Sequence, residues 1–377
     1  MTLAKTTGAR PAADVIAAVQ GERRYEVRVG PGAADGILAF AREHDRVAVV
    51  TARPVLRSPP AAQAVALLRE QADALVHVLP DGERGKTLAE LERGAARLLR
   101  EGFTRRSLVV AVGGGAVSDA AGFLAATFMR GVEWAVVPTT LLAMVDAAIG
   151  GKTAVNLPAA KNAVGAFHPP RAVLADPAAL ETLPARELRS GMGEVLKYAA
   201  LRPEMLGGVV ALGEGAPGEA LVGACARAKV EIVRADPTEQ GARKLLNLGH
   251  TFGHGVEAAG RFERWTHGEA VAIGLAFAFR LAARLGRVGP LAVAEVEDAI
   301  RGAGLPVRVP AKAARRAAVL MGTDKKRTAA GLRWVLPRAA GPSWTVEWDV
   351  EAPARAVAET VVEIAGRSGS TPTALRG

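Results

Sequence analysis

A single cysteine, Cys225, stands among 377 residues, which excludes an intrachain disulfide framework. Its setting, Gly-Ala-Cys-Ala-Arg-Ala-Lys, reads as helix, so a small buried residue is expected there rather than a nucleophile. No segment reaches the roughly eighteen uninterrupted apolar residues of a membrane-spanning helix. The opening Met1-Thr-Leu-Ala-Lys-Thr-Thr-Gly-Ala-Arg has no apolar secretory core, so a cytoplasmic protein without a membrane partner is expected. Aromatic residues make up only 4% and are not interleaved with basic runs, so the formal charge of +10 reads as a solvated arginine-rich surface rather than a nucleic-acid interface. A positive cleft would still draw in small phosphates and carboxylates.

What is present is Ala, Val, Leu and Gly in quantity, suited to close packing of helices on a sheet. The length exceeds what one hydrophobic core normally organises, so two domains are expected. Short apolar runs recur early: Val47-Ala-Val-Val, Ala74-Leu-Val-His-Val-Leu, Leu108-Val-Val-Ala-Val and Ala135-Val-Val-Pro. Amphipathic segments at 61–71 and 88–100 separate them, which predicts a mostly parallel sheet covered by helices over residues 1–176. From 177 to 366 strand-like runs nearly vanish and helical periodicity takes over, so an all-α domain is expected there. Glu181-Thr-Leu-Pro-Ala-Arg-Glu-Leu reads as a helix start with Pro184 in its first turn, marking the junction. The polar tail 367–377 reads as disordered.

Three of the six histidines fall in Asn247-Leu-Gly-His250-Thr-Phe-Gly-His254 and Thr266-His267-Gly-Glu. His250 and His254, four residues apart, share a helical face, and His267 can fold back beside them; on spacing alone the first two are a metal-ligand pair. Val112-Gly-Gly-Gly-Ala-Val-Ser-Asp119 follows a strand-like run and opens an Ala-rich segment, so its amides and the helix N-terminus can cradle a pyrophosphate, although it is not the G-x-G-x-x-G fingerprint. In Asp81-Gly-Glu83-Arg-Gly-Lys86 a carboxylate can accept from ribose hydroxyls and a lysine can meet phosphate. The run from Pro138 to Pro170 carries Thr139, Thr140, Asp146, Lys152, Lys161 and Asn162 among glycines, and reads either as a long loop with solvated lysines or as an anion pocket. Gly150-Gly-Lys-Thr is not a nucleoside-triphosphate loop, because it lacks the first glycine and a preceding strand.

These motifs, together with Phe128-Met-Arg-Gly-Val, Lys161-Asn-Ala-Val-Gly-Ala-Phe-His, Glu194-Val-Leu-Lys-Tyr and Leu245-Leu-Asn-Leu-Gly-His-Thr-Phe-Gly-His, resemble the 3-dehydroquinate synthases of the sugar-phosphate cyclase superfamily, from about Tyr25 to Leu336. The resemblance implies a Rossmann-like α/β domain that binds dinucleotide, an all-α domain that binds metal and substrate, and a homodimer. It implies cyclisation of 3-deoxy-D-arabino-heptulosonate 7-phosphate to 3-dehydroquinate with release of phosphate, using NAD and a divalent metal, Zn2+ or Co2+. The implied metal ligands are Glu194, His250 and His267, an open carboxylate and imidazole set that would polarise the hydroxyl undergoing oxidation. The implied catalytic groups are His254, Glu239 and Lys197. Substrate would be met by Arg130 of a neighbouring subunit and by Asp146, Lys152, Asn162, Lys229, Arg243, Asn247 and one of Lys325 and Lys326. Dinucleotide would be met by Glu83, Lys86, Gly114, Gly115, Asp119, Thr139, Thr140, Lys161 and Thr182, with Asp81 in the same turn. The family usually offers Asp or Asn after the first strand where this chain has Thr51-Ala52-Arg53, a change that could admit a 2′-phosphate.

Competing readings are cyclases acting on other sugar phosphates, the aminodehydroquinate synthases, and metal-dependent polyol dehydrogenases, which stop after hydride transfer. Asn247 and the Asp324-Lys325-Lys326 segment favour a substrate bearing both carboxylate and phosphate.

Overall fold

In the computed structural model residues 13–158, 160–321, 327–328 and 331–366 are described. Lys325, Lys326 and the tail expected to be disordered lie outside them. The chain divides into two compact units, Met1–Leu183 with Pro217–Arg234, and Pro184–Ala216 with Ala235–Gly377. No helix among the described residues is long and apolar enough to cross a membrane.

The first unit is built on strands β1 (Asp14–Gln20), β2 (Arg23–Val29), β3 (Val47–Ala52), β4 (Leu75–Leu79), β5 (Leu108–Gly113), β6 (Glu133–Pro138), β7 (Lys152–Leu157), β8 (Ala160–Phe167) and β9 (Ala172–Ala175). Seven of them form one sheet in the order β1-β2-β9-β6-β5-β3-β4, parallel throughout except for β1 against β2. All four apolar runs picked out in the sequence become strands of it. The fully buried β3 and β5 carry Val and Ala on both faces, as strands covered on both sides must. Helices α1 (Ile37–Ala41) and α2 (Pro59–Ala72) send Ile37, Phe40 and Leu68 against Val49, Val110, Val137 and Leu174. Each such side chain removed from water contributes about 1.5–3 kcal/mol. Helix α3 spans Leu88–Arg100, and α4 (Gly115–Thr127) starts directly after β5. A Cβ at Gly122 would lie 2.9 Å from Trp134, so α4 presses close to the sheet only with glycine there.

The lysine-rich run after Pro138 is not a long loop. Lys152 pairs with Phe167 and Thr153 with Ala166 in an antiparallel β7–β8 ribbon, and Thr153 Oγ1 donates to Ala166 O at 3.0 Å.

The second unit contains α5 (Ala185–Leu201), α6 (Leu206–Leu212), α8 (His250–Ala259), α9 (His267–Arg284), α10 (Pro290–Gly302), α11 (Ala311–Met321) and α12 (Ala354–Ile364); α7 (Glu219–Ala235) lies almost wholly in the segment that returns to the first unit. Pro184 is the N-cap of α5, one position before the expected first turn. Cys225 is buried in α7 and in no disulfide. The second unit is helix-rich, but it also holds an antiparallel hairpin, Gly331–Ala340 with Ser343–Glu351, where helix alone was expected. The hairpin hides from pattern reading because Trp334, Val335 and Leu336 are buried in succession rather than alternately. Scarce aromatics anchor it: Trp334 stacks on Phe277 of α9, and Trp344 Nε1 donates to Ala200 O of α5 at 2.9 Å.

Candidate functional site

In the second unit, glycines bring α5, α8 and α9 into unusually close contact. A Cβ at Gly193 would lie 2.3 Å from Gly268 O, and one at Gly274 would lie 1.8 Å from Gly249 O. Backbones can therefore touch where larger residues would hold them apart, and short side chains reach across. Thr266 and Glu269 close a capping box that starts α9 at His267. Gly249, with φ of 78°, turns the chain into α8 at His250.

The result is a cluster of Glu194, His250 and His267 whose donor atoms lie within 4.8 Å of one another. Glu194 Oε1 is 3.0 Å from His267 Nε2 and 3.5 Å from His250 Nε2, and its other oxygen pairs with the buried Lys197 ammonium. Burial would raise the Glu194 pKa, but Lys197 and the two imidazoles hold it well below the usual carboxylate value. His250 Nδ1 lies 3.2 Å from Leu248 O, to which it can donate, leaving the Nε2 lone pair facing Glu194. Burial lowers its pKa to about 4, so the ring is neutral at pH 7. His267 is also buried, yet its bonds to Glu194 and, through Nδ1 at 3.3 Å, to Glu257 push its pKa up to about 10. Here a proton supplies the positive charge that two carboxylates demand. A divalent cation fits the same place: one carboxylate and two imidazoles point at it, and Glu257 orients His267 as carboxylates commonly orient metal-bound histidines.

His254 sits on the same face of α8 as His250, as its spacing predicts, with ring centroids 5.4 Å apart and 6.4 Å from His267. It does not join the converging donor set. Nearby in sequence, Glu239 accepts from Asn247 Nδ2 at 3.1 Å, and the guanidinium of the buried Arg243 donates to Pro237 O at 2.8 Å.

In the first unit, Gly113 to Gly115 link β5 to α4 as expected, and a Cβ at Gly114 would meet Thr140 at 2.9 Å. Thr139 N donates to Gly113 O at 3.0 Å, tying this turn to the end of β6. Buried Lys86 donates to Asp119 and to Asn162 Oδ1. Burial raises the Asp119 pKa against the pull of Lys86. Asn162, expected at the substrate, is thus bound to Lys86, expected at the dinucleotide; its φ is 53°. Lys229 Nζ lies 3.1 Å from Asp146 Oδ1, joining two residues of the expected substrate set. Lys152 and Lys161 are exposed on the ribbon, and Arg130 is exposed in a left-handed Met129-Arg130-Gly131 turn. Asp81 and Thr182 are exposed at the edges of short 3-10 turns, outside both hydrogen-bonded clusters. Thr51 and Ala52 are buried, whereas Arg53 is exposed.

Three residues of these clusters were not picked out in the sequence. Glu257 lies seven positions after His250, on the same helical face, and that spacing was an available signal. Asn156 bridges Glu83 and the Asn162 amide across segments distant in sequence. Asp236 accepts three backbone N–H groups from residues 240–243, which only the folded loop reveals.

Known proteins match along most of the chain. Models described as the N-terminal and C-terminal parts of 3-dehydroquinate synthase match residues 76–190 and 191–327. A 3-dehydroquinate synthase of Halorhodospira halophila is 44% identical over 330 residues, 85% of this chain and 92% of its own. That of Xanthomonas campestris pv. campestris is 42% identical over 346 residues, 87% of this chain and 93% of its own. Among solved structures, the 2-epi-5-epi-valiolone synthase of Streptomyces hygroscopicus subsp. jinggangensis, with NAD+ and Zn2+ bound, aligns with a TM-score of 0.78 at 29% identity, covering 92% of this chain and 98% of that one. A 2-deoxy-scyllo-inosose synthase complexed with carbaglucose-6-phosphate, NAD+ and Co2+ shares the fold, with a TM-score of 0.77 at 24% identity over 93% of this chain and 100% of that one. With both family models matched in order and relatives this similar along nearly their full length, the chain belongs to the 3-dehydroquinate synthase family.

Proposed function

We propose that this chain is a carbon–oxygen lyase that converts 3-deoxy-D-arabino-heptulosonate 7-phosphate to 3-dehydroquinate and phosphate with bound NAD and a divalent metal, a step towards aromatic amino acids. The observation that supports it most is the convergence of Glu194, His250 and His267 with His254 beside them but outside the set. When bound at the converging donors, Zn2+ or Co2+ supplies Lewis acidity to a substrate hydroxyl, and NAD supplies a reversible hydride acceptor.

The chain's own residues do the rest. Glu257 keeps the His267 ring turned, and Leu248 O fixes the His250 tautomer. His254 moves a proton between substrate and solvent, while Glu239, held by Asn247, is the second acceptor. Lys197, Lys152, Lys229, Arg243, Asn247 and Asn162, with Lys325 or Lys326, meet the substrate's carboxylate, phosphate and hydroxyls, and Asp146 lines the same pocket. Arg130 serves the neighbouring site of a homodimer, which works in the cytoplasm. Glu83, Lys86, Asp119, Lys161, Thr139, Thr140, Thr182 and the Gly114-Gly115 turn hold NAD, with Asp81 beside them.

Purified protein should release phosphate from the heptulosonate phosphate with catalytic NAD and no net NADH, and chelation should abolish this. The same assay with aminated heptulosonate, sedoheptulose and glucose phosphates defines the substrate. Turnover of a neutral sugar phosphate alone overturns the reading, as does net NADH formation from a polyol.

A further inference from the structure

We propose that Asp236 is a positioning residue for this reaction, whose carboxylate folds residues 236–243 so that Glu239 and Arg243 face the substrate together. The inference rests on the roles given above to Glu239 and Arg243.

Asp236 is buried immediately after α7, and the amides of the residues that follow lie beyond that helix's own hydrogen-bond ladder. Its Oδ1 accepts Gln240 N–H at 3.0 Å, and its Oδ2 accepts Gly241 N–H at 2.7 Å and Arg243 N–H at 3.0 Å. Hydrogen bonds to an ionised acceptor are about twice as strong as neutral ones, so this one side chain fixes the turn. Burial would raise its pKa, but the amides of Gly241, Gln240, Arg243 and Glu239 keep it below the ordinary carboxylate value.

Two functional groups hang from that turn. Glu239 has φ of 64°, a left-handed conformation costly for a residue with a Cβ and kept only where surroundings over-determine it. The Arg243 side chain is 1% exposed and is steered back by its bond to Pro237 O. Without the Asp236 acceptors these three amides lose the carboxylate that gathers them, and the left-handed conformation of Glu239 loses that support. The Glu239 bond with Asn247, 3.1 Å long, depends on that conformation.

Asp236→Asn is nearly isosteric and separates the charge from the shape. It keeps one oxygen acceptor but turns an NH2 group towards N–H donors. The test measures turnover of the heptulosonate phosphate by full-length, metal- and NAD-loaded D236N, D236A, E239Q and D236N/E239Q, together with metal content and NAD affinity. D236N should lower kcat about 10- to 100-fold, as a small misplacement of a reacting group does. D236A should lower it further, and metal content and NAD affinity should stay within about twofold of the unsubstituted enzyme, less than one direct contact is worth. The double variant should lose less relative to E239Q than D236N loses relative to the unsubstituted enzyme, because the part of the loss that runs through Glu239 is already gone and only the part through Arg243 remains. Losses that multiply, parallel loss of metal, or a D236N enzyme as fast as the unsubstituted one overturn the proposal. If D236N does not fold, D236S supplies a smaller acceptor at the same place, and failure of both to fold makes Asp236 structural and overturns it too. An unsubstituted enzyme inactive on every sugar phosphate overturns the functional reading itself.

Discussion

In the first unit the buried Lys86 ammonium lies between the Asp119 carboxylate and the Asn162 amide oxygen, so the chain carries its own cation. In the second unit, Glu194 pairs with the buried Lys197, while Glu194 and Glu257 both face His267, which in the chain alone carries a further positive charge as a proton. A buried carboxylate is costly without a compensating charge or hydrogen bonds, so both clusters are neutralised, the first by a lysine and the second by a lysine and a histidine proton. The first carries a fixed cation. The second is a socket, where a divalent ion can take the place of the His267 proton.

Several substitutions would break that contrast. The largest effect is expected for His250→Ala, which should lose bound metal and lower turnover by about three orders of magnitude, the scale of several kcal/mol of Lewis-acid stabilisation. His254→Ala should keep the metal and lower kcat about 100-fold, the lower end of what a positioned acid–base group contributes. Metal analysis beside kinetics distinguishes the two, and loss of metal from His254→Ala would merge His254 into the ligand set. Glu257→Gln should weaken metal affinity about 10- to 100-fold, measured by competition with a chelator, because His267 loses its orienting carboxylate. Lys86→Gln should raise the NAD KM about tenfold with metal content unchanged, since one charge-assisted contact is lost from the self-sufficient cluster.

The smallest effect is one of pH. Asp236 holds its charge by a third route, backbone amides, and its pKa is lowered. A carboxyl whose folded pKa is depressed binds fewer protons folded than unfolded. Its contribution to stability is present above the ordinary carboxylate pKa of about 4 and is lost as pH falls through the folded value. Denaturant titrations at neutral pH and below about pH 4 should show the gap between the unsubstituted protein and Asp236→Asn shrinking with acid. A gap independent of pH would mean that the amides do not stabilise the charged form.

Much of this was legible from local pattern. Val47, Leu108 and Ala135 begin strand-like runs because buried parallel strands need apolar residues on both faces, and that need is written in consecutive residues. Gly113 to Gly115 mark a strand-to-helix turn by the same local logic. The β7–β8 ribbon was less legible, since Lys161, Asn162 and Phe167 are exposed and give no buried face to read. The hairpin at 331–351 escaped because its buried residues run together at Trp334 to Leu336. Asn156 and Asp236 escaped for another reason: their partners are backbone or side-chain groups whose positions exist only after folding.

By itself the sequence determined strands β3 to β6, the turn into α4, the family likeness and which residue types are available for metal and anions, because these depend on short-range order and composition. Tertiary structure decided which of three neighbouring histidines converge. Helices α5 and α9 cross at Gly193 and Gly268 with no room for a Cβ, which carries Glu194 to His267 and His250 and leaves His254 one turn further along α8. Spacing along a helix can place two rings on one face, but only the crossing of a second helix chooses the ring that meets its carboxylate.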